Sequence, residues 1–388
     1  MARFQIKDAE INEMSALLQS KAVADALACV QGMLEHGNVT LNVAVTGESG
    51  SGKSSFINAF RGIADDDKEA AETGVTETTR EASVYRLLTA HNVLLWDLPG
   101  IGTPSFRPES YLEDVGLLNY DFFIIVCAQR FQECHTELAR AILKSGKKFY
   151  FVRNKVDRDL KANSRRNTRQ PDEDVLRRMR ADCERSLENG GVEHPKVFLT
   201  SCFQPRHFDF PLLQKTLLDE LEGHKRHALL LSLPVLNPSL IESKRNALAG
   251  EVWKKAIVAC LGAVIKTNMT QGVIPSLMDT LKSYQQTFGL DTESLCRLAS
   301  LTGKPLQDLQ NEVLSTSGKE LTAETVEGLL SQAASVQHLL ANELEKRVPF
   351  LGTIATSGIS FVASYYLLSS ALKDLSEDAE RVMRKAFS

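Results

Sequence analysis

Apolar residues fall in two different rhythms along this chain. Residues 1 to about 36 carry Ile6, Ile11, Met14, Leu17 and Leu18, then Val23, Ala26, Leu27, Val30 and Met33, at three- and four-residue steps. That spacing predicts helix, with Gly37 as a stop. From Val39 to about Leu221 the rhythm changes, and short apolar runs alternate with helical patterns. Strands are predicted at 41–46, 82–88, 92–97, 121–127, 148–153 and 196–200. Strands alternating with helices imply an α/β fold with a mostly parallel sheet covered on both faces. Ligands in such sheets sit at the carboxyl ends of the strands. After Ala228 strand signals vanish, and Leu-, Ala- and Ser-rich helical patterns run to the end, broken by Pro234, Pro238, Pro275, Pro305 and Pro349. The N-terminal helix is too short to bury its stripe alone. We expect one all-helical domain from both termini, residues 1–36 with 228–388, around an α/β domain at 37–227.

Composition narrows the class. At 388 residues the chain has room for two or more domains, and 43% hydrophobic with 24% charged residues is ordinary for globular proteins. A net charge of -4 argues against charge-driven nucleic-acid binding. The seven cysteines show no paired spacing, which points to a reducing, cytoplasmic setting. We expect no signal peptide at the N-terminus, no myristoylation without a glycine at position 2, and no prenylation without a C-terminal cysteine. Two apolar stretches, 253–274 and 348–372, are expected to be core helices, with peripheral membrane contact as the other reading. The basic run 158–169 is expected to be a solvated loop. The eight histidines are assigned no chemistry.

The chemistry is concentrated at the strand ends. Gly47-Glu48-Ser49-Gly50-Ser51-Gly52-Lys53-Ser54 follows the strand 41–46 and precedes a helical segment containing Ser55. This is the P-loop context. Glycines let consecutive N–H groups turn inward on phosphate oxygens, and the helix N-terminus adds positive partial charge. Lys53 is placed to reach the outer phosphates and the Ser54 hydroxyl to ligate Mg2+.

Trp96-Asp97-Leu98-Pro99-Gly100 closes the strand 92–97, about fifty residues after the P-loop begins. Asp97 is expected to hold Mg2+ through water, and Gly100 to offer its N–H to a terminal phosphate. Asn154-Lys155-Val156-Asp157 closes the strand 148–153. A carboxylate at Asp157 can accept from both N1–H and the exocyclic amine of guanine, a pair adenine lacks. The Lys155 stem can lie along the base, and Asn154 can brace the loops. Thr200-Ser201-Cys202 can offer backbone N–H groups to the guanine oxygen. These motifs predict GTP and GDP as ligands, not ATP.

Between the P-loop and the strand 82–88 stand Thr73, Thr76, Thr78 and Thr79. One of them is expected to complete the Mg2+ shell; the residues leave open which, and Thr79 is our candidate metal and nucleotide contact. The residue after Gly100 is Ile101, where Ras-type enzymes use glutamine to orient the attacking water. Isoleucine cannot do this, and Glu77 is a candidate substitute. Arg80 is expected to be a solvated loop arginine, with charge stabilisation as the other reading.

With these motifs placed, the chain resembles the immunity-related GTPases, the interferon-inducible family. The resemblance rests on the P-loop with its lysine, Thr73-Gly74-Val75 ahead of Glu77 and Thr79, and Trp96-Asp97-Leu98-Pro99-Gly100-Ile101-Gly102. It is supported by Tyr120-Asp121-Phe122-Phe123-Ile124-Ile125, Phe149-Tyr150-Phe151-Val152-Arg153 and Leu231-Ser232-Leu233-Pro234. It implies a Ras-like GTPase domain with a helical domain from both termini, GTP-dependent homodimerisation across the nucleotide faces, cooperative hydrolysis with a role for Glu77, and action at intracellular membranes in innate immunity. Two features depart from the family. Asn154 stands where threonine is usual, and the myristoylation signal of several members is absent. The rival expectation is a nucleotide-gated assembly scaffold with negligible hydrolysis, which Ile101 keeps open.

Overall fold

The computed structural model describes residues 23–35, 39–74, 81–101, 107–128, 131–165, 170–265, 269–347 and 361–388, together with Asn12 and Ala16. Contacts divide the chain into two compact units, Val39–Asn237 and Met1–Asn38 with Pro238–Ser388. The first described helix, α1 (Val23–Glu35), belongs to the second unit.

In the first unit the chain runs β1 (Leu41–Gly47), α2 (Lys53–Arg61), β2 (Ser83–Leu87), β3 (Ala90–Asp97), α3 (Pro108–Asp114), β4 (Phe122–Cys127) and α4 (Glu133–Lys144). It continues through β5 (Lys148–Arg153), α5 (Val156–Ser164), α6 (Asp172–Asn189), β6 (Val197–Leu199), α7 (Phe210–Glu220) and α8 (Gly223–Ser232). The six strands form one sheet in the order β2-β3-β1-β4-β5-β6. Only β2 runs antiparallel. The reason is visible in the residues. Strands β1 and β4 are apolar almost throughout and buried on both faces, as central parallel strands must be. Strand β2 alternates half-buried and exposed positions and takes the edge. On one face Phe56, Phe60 and Phe210 cluster. On the other, Phe123, Ile125 and Phe151 meet Leu138 and Ile142 of α4.

Register fixes the site. Val45 pairs with Asp97, Gly47 with Val126, Cys127 with Arg153, and Arg153 with Leu199. The carboxyl ends of β1, β3, β4, β5 and β6 therefore share one edge. The basic run 158–169 is not wholly a loop, because its first residues belong to α5; positions 166–169 lie outside the described residues. The expected boundary near His227 falls inside α8, which packs on β3 and β1, and the unit ends at Asn237.

The second unit continues with α9 (Pro238–Ala249), α10 (Val252–Ile265), α11 (Met269–Phe288), α12 (Thr292–Thr302), α13 (Leu306–Gln310), α14 (Ala323–Arg347) and α15 (Phe361–Ala386). Helix α15 packs against α9, α10, α11 and α14. The stretch 253–274 puts Trp253, Ala256, Ile257, Cys260 and Leu261 in this core. Of 348–372, residues 361–372 lie in α15, largely buried, and 348–360 lie outside the described residues. Among the described residues no helix is long and apolar enough to cross a membrane. Asp378 of α15 is fully buried and its carboxylate is satisfied. It accepts from the Leu314 N–H at 3.0 Å, from the Ser315 N–H and hydroxyl, and from Arg381.

Candidate nucleotide site

The loop between β1 and α2 turns on three glycines with positive φ: Gly47 at 145°, Gly50 at 74° and Gly52 at 91°. Two of them also need their missing side chain. A Cβ on Gly47 would lie 1.9 Å from the Val126 carbonyl oxygen, and one on Gly52 would lie 2.7 Å from Asn154 Nδ2. The loop is thus pressed onto β4 and the β5–α5 corner. The N–H groups of Gly50, Gly52 and Ser54 have no acceptor among the described residues. Lys53 folds back, its Nζ donating to the carbonyls of Gly47 at 3.3 Å and Glu48 at 3.2 Å. Free donors and a curled ammonium on one loop form a cradle for an anion.

Ser54 Oγ donates to Asp97 Oδ2 at 2.7 Å, and both residues are buried. The hydroxyl proton is spent on the carboxylate, which leaves its lone pairs to a cation. Two hard oxygen donors, one of them anionic, suit a hard divalent ion such as Mg2+. The hydroxyl of Ser55 is engaged differently. It donates to Asp65 Oδ2 at 2.9 Å, so its backbone N–H is what it can offer a phosphate. Asn58 donates to the same carboxylate and exchanges two bonds with Ala71, pinning residues 65–71 to α2. Glu77 and Thr79, with Thr76, Thr78 and Arg80, lie outside the described residues.

Asn154 joins three loops. Its Nδ2 donates to Ser51 O at 3.1 Å, and its Oδ1 accepts from the Cys202 thiol at 3.2 Å and from Thr200 Oγ1 at 3.5 Å. Lys155 occupies the left-handed region at φ 63°, a conformation uncommon for any residue but glycine and tolerated where the surroundings hold it. Its Nζ donates to Gly50 O at 2.7 Å, so the stem crosses the P-loop. Burial first, then Arg158, lowers its pKa below the ordinary lysine value. Asp157 stands half-buried in the first turn of α5, with no hydrogen-bond or ion-pair partner among the described residues. The N–H groups of Ser201 and Cys202 are likewise without an acceptor there. Burial pushes the Cys202 thiol up to about 12, so it stays protonated and donating.

One set of residues escaped the sequence reading. Glu48 Oε2 accepts from Gln132 Nε2 at 2.9 Å, and Glu48 Oε1 faces His135 Nε2 at 3.4 Å. Burial alone would raise the Glu48 pKa, but the His135 imidazole, the Cys127 thiol and Arg153 outweigh it and hold the carboxyl below its usual value. Glu48, Cys127 and His135 bring ligand-type atoms within 4.8 Å of one another. The Gln132 N–H donates to His135 Nδ1 at 3.1 Å, however, so in the neutral ring Nε2 carries the proton and has no lone pair for a metal. The trio is a brace that ties the P-loop to the start of α4. Its members come from three elements, so no spacing along the chain announces it.

Ile101 is 3% exposed and sits in the core cluster on the α4 face, while its N–H donates to Gly47 O at 3.1 Å. Its side chain belongs to the core.

A family model described as Interferon-inducible GTPase (IIGP) matches residues 7–386. The chain is 40% identical over 384 residues to interferon-inducible GTPase 5 of Bos taurus, covering 97% of this chain and 82% of that relative. It is 36% identical over 381 residues to interferon-gamma-inducible GTPase 10 of Mus musculus, covering 97% and 88%. Interferon-inducible GTPase 1 of Mus musculus is 36% identical over 373 residues, covering 95% and 86%. A match that runs through both units, over a sheet edge carrying the P-loop, Asp97 and Asp157 together, makes this chain a member of the interferon-inducible GTPase family.

Proposed function

We infer that this chain binds GTP and GDP and hydrolyses GTP to GDP and phosphate, as an interferon-inducible GTPase of innate immunity. The observation that carries this reading is Asn154. One side chain bonds the phosphate cradle through Ser51 and the loop of Ser201 and Cys202 through Cys202, so the phosphate and base ends of a nucleotide are set by one brace. Gly50, Gly52 and Ser54 offer N–H groups to phosphate oxygens. Lys53 exchanges its carbonyl partners for them and stabilises the charge that develops on the outer phosphate. Asp157 selects guanine. Ser54 and Asp97 fit Mg2+, with Thr79 as the candidate third group, and the ion when bound neutralises phosphate charge.

Hydrolysis needs a group that orients water. Ile101 cannot supply it, and Glu77 is the candidate. We propose that Glu77 is brought to bear when two copies meet across their nucleotide faces in the GTP state. Peripheral contact with an intracellular membrane belongs to the same proposal. The buried Ile101 favours one second reading, a nucleotide-gated scaffold with negligible turnover. Binding and turnover of GTP by the parent and by Lys53→Ala test the reading. The variant is expected to stay folded and lose nucleotide affinity. Unchanged affinity in a folded variant overturns the phosphate assignment, and binding without turnover at any protein concentration selects the scaffold.

A further inference from the structure

The turn after β3 has few amides, and most are committed. The Leu98 N–H donates to Val45 O at 3.0 Å, and the Ile101 N–H donates to Gly47 O at 3.1 Å. Pro99 has no N–H. The Gly100 N–H is left, with no acceptor among the described residues. The other end of its peptide is held. Tyr111, on α3, donates its hydroxyl to the Pro99 carbonyl at 3.0 Å. The same hydroxyl lies 2.7 Å from Thr46 Oγ1 of β1. A carbonyl only accepts and a phenol has one proton, so Thr46 donates to Tyr111 and Tyr111 donates to Pro99.

The chain has no cis peptide bond among the described residues. In a trans peptide the C=O and N–H point to opposite sides of the backbone. Holding the Pro99 oxygen toward Tyr111 therefore turns the Gly100 N–H away from Tyr111. The residue that follows is bonded to the first glycine of the P-loop, so this donor is carried at the phosphate cradle. Burial above all, with a Coulombic push from Asp97 among the lesser causes, raises the Tyr111 pKa well beyond its ordinary value. The phenol thus keeps its proton throughout the physiological range.

We propose that Tyr111 is a positioning residue for recognition of the terminal phosphate: the relay from Thr46 through Tyr111 to Pro99 presets the Gly100 N–H as a donor to an anionic oxygen. The proposal rests on the guanine-nucleotide reading above. Preset donors matter because a dipole already aimed at its target costs no reorganisation when the target arrives. GDP has no terminal phosphate at this donor, so the relay acts on GTP alone. It also links the nucleotide state to α3, since any swing of the Gly100 peptide must break or move the Tyr111 bond.

The test compares nucleotides, not activity alone. Affinities of the full chain for GDP and for a non-hydrolysable GTP analogue are measured with Mg2+ for the parent, Tyr111→Phe and Thr46→Val. Tyr111→Phe keeps the ring and removes the proton donor. The expected result is unchanged GDP affinity and GTP-analogue affinity weakened about five-fold, the worth of one hydrogen bond. Thr46→Val, nearly the same volume, should shift the ratio the same way by less. A role in packing alone weakens both nucleotides equally and overturns the proposal. So does an unchanged ratio, or a tighter GTP analogue. If Tyr111→Phe does not fold, an unchanged ratio in Thr46→Val overturns it. A parent that binds neither nucleotide removes the nucleotide reading and this proposal together, whereas a parent that binds both with an unchanged variant ratio removes only the relay.

Discussion

The Ser54 hydroxyl gives its proton to Asp97 Oδ2 at 2.7 Å, joining the last residue of the P-loop to the last residue of β3 across 43 positions of sequence. The pair has a direct consequence for the metal. A serine that donates to a carboxylate presents only lone pairs elsewhere, and asparagine presents an amide N–H₂ as well as an oxygen. Ser54→Asn should therefore weaken binding of Mg2+–GTP by about 1.5–3 kcal/mol, the range for a bond to a charged group. GDP, less dependent on the metal, should lose less. Titration of both nucleotides with and without Mg2+ checks this, and equal losses speak against metal ligation by Ser54.

Asp157 is half-buried and has no partner among the described residues, so its removal costs the fold little. Asp157→Asn should leave the unfolding temperature unchanged and weaken GTP binding by more than about 2 kcal/mol, because a charge-assisted pair of hydrogen bonds is lost. The amide should also favour xanthine nucleotides, whose exocyclic oxygen accepts from it. A competition assay between GTP and xanthosine triphosphate reads both effects.

Lys244 is buried completely between α9 and α11, where its Nζ donates to the Thr287 carbonyl at 2.6 Å. Burial lowers its pKa from 10.5 to about 7. Between those values the unfolded chain binds a proton that the folded chain does not. Stability then rises with pH from about 7 toward 10.5, since the slope follows the excess of protons on the unfolded state. Urea unfolding of the parent should show its midpoint climbing from pH 7 to pH 9, and Lys244→Met should climb less. Parallel curves for the two proteins would mean that the lysine stays charged in the core.

The centre of the sheet was legible because β1, β4 and β5 are largely apolar, buried runs of six or seven residues, and they fall where Val43, Ile124 and Phe151 predict them. The P-loop and the Asn154–Asp157 motif were legible because each is contiguous. Relations that close through space were not. Gln132 and His135 lie 84 and 87 positions from Glu48, and nothing in the spacing of eight histidines singles out His135. Tyr111 reads as one aromatic in a short amphipathic segment until Pro99 and Thr46 are seen beside its hydroxyl. Ser55 shows the reverse. Its place beside the P-loop suggests a phosphate contact, and only Asp65 reveals that its hydroxyl is engaged elsewhere.

Ile101 leads to the last prediction. At this place a glutamine would orient the attacking water in a Ras-type enzyme. Here the side chain is 3% exposed and packs with Leu98, Leu112 and Phe123 in the core cluster, so the position faces away from solvent chemistry. Ile101→Gln should therefore lower stability by about 1–3 kcal/mol, the cost of burying an amide without partners, and should not raise GTP turnover. Turnover must come from a group outside the turn. Phosphoryl transfer depends on positioning and on charge stabilisation, both of which a second copy docked nucleotide face to nucleotide face can supply. Under the proposal above, Glu77 orients the water only in the pair. GTP turnover per molecule is expected to rise with protein concentration, while GDP-loaded protein stays monomeric by light scattering. Glu77→Ala is expected to keep GTP affinity and to cut turnover. A rate per molecule that is flat up to roughly 100 micromolar, with the GTP-bound chain monomeric throughout, would sink the paired mechanism. A group that orients only the attacking water acts in the transition state and not on bound GTP, so the two readouts, affinity and turnover, must separate in Glu77→Ala if the glutamate has the role assigned to it.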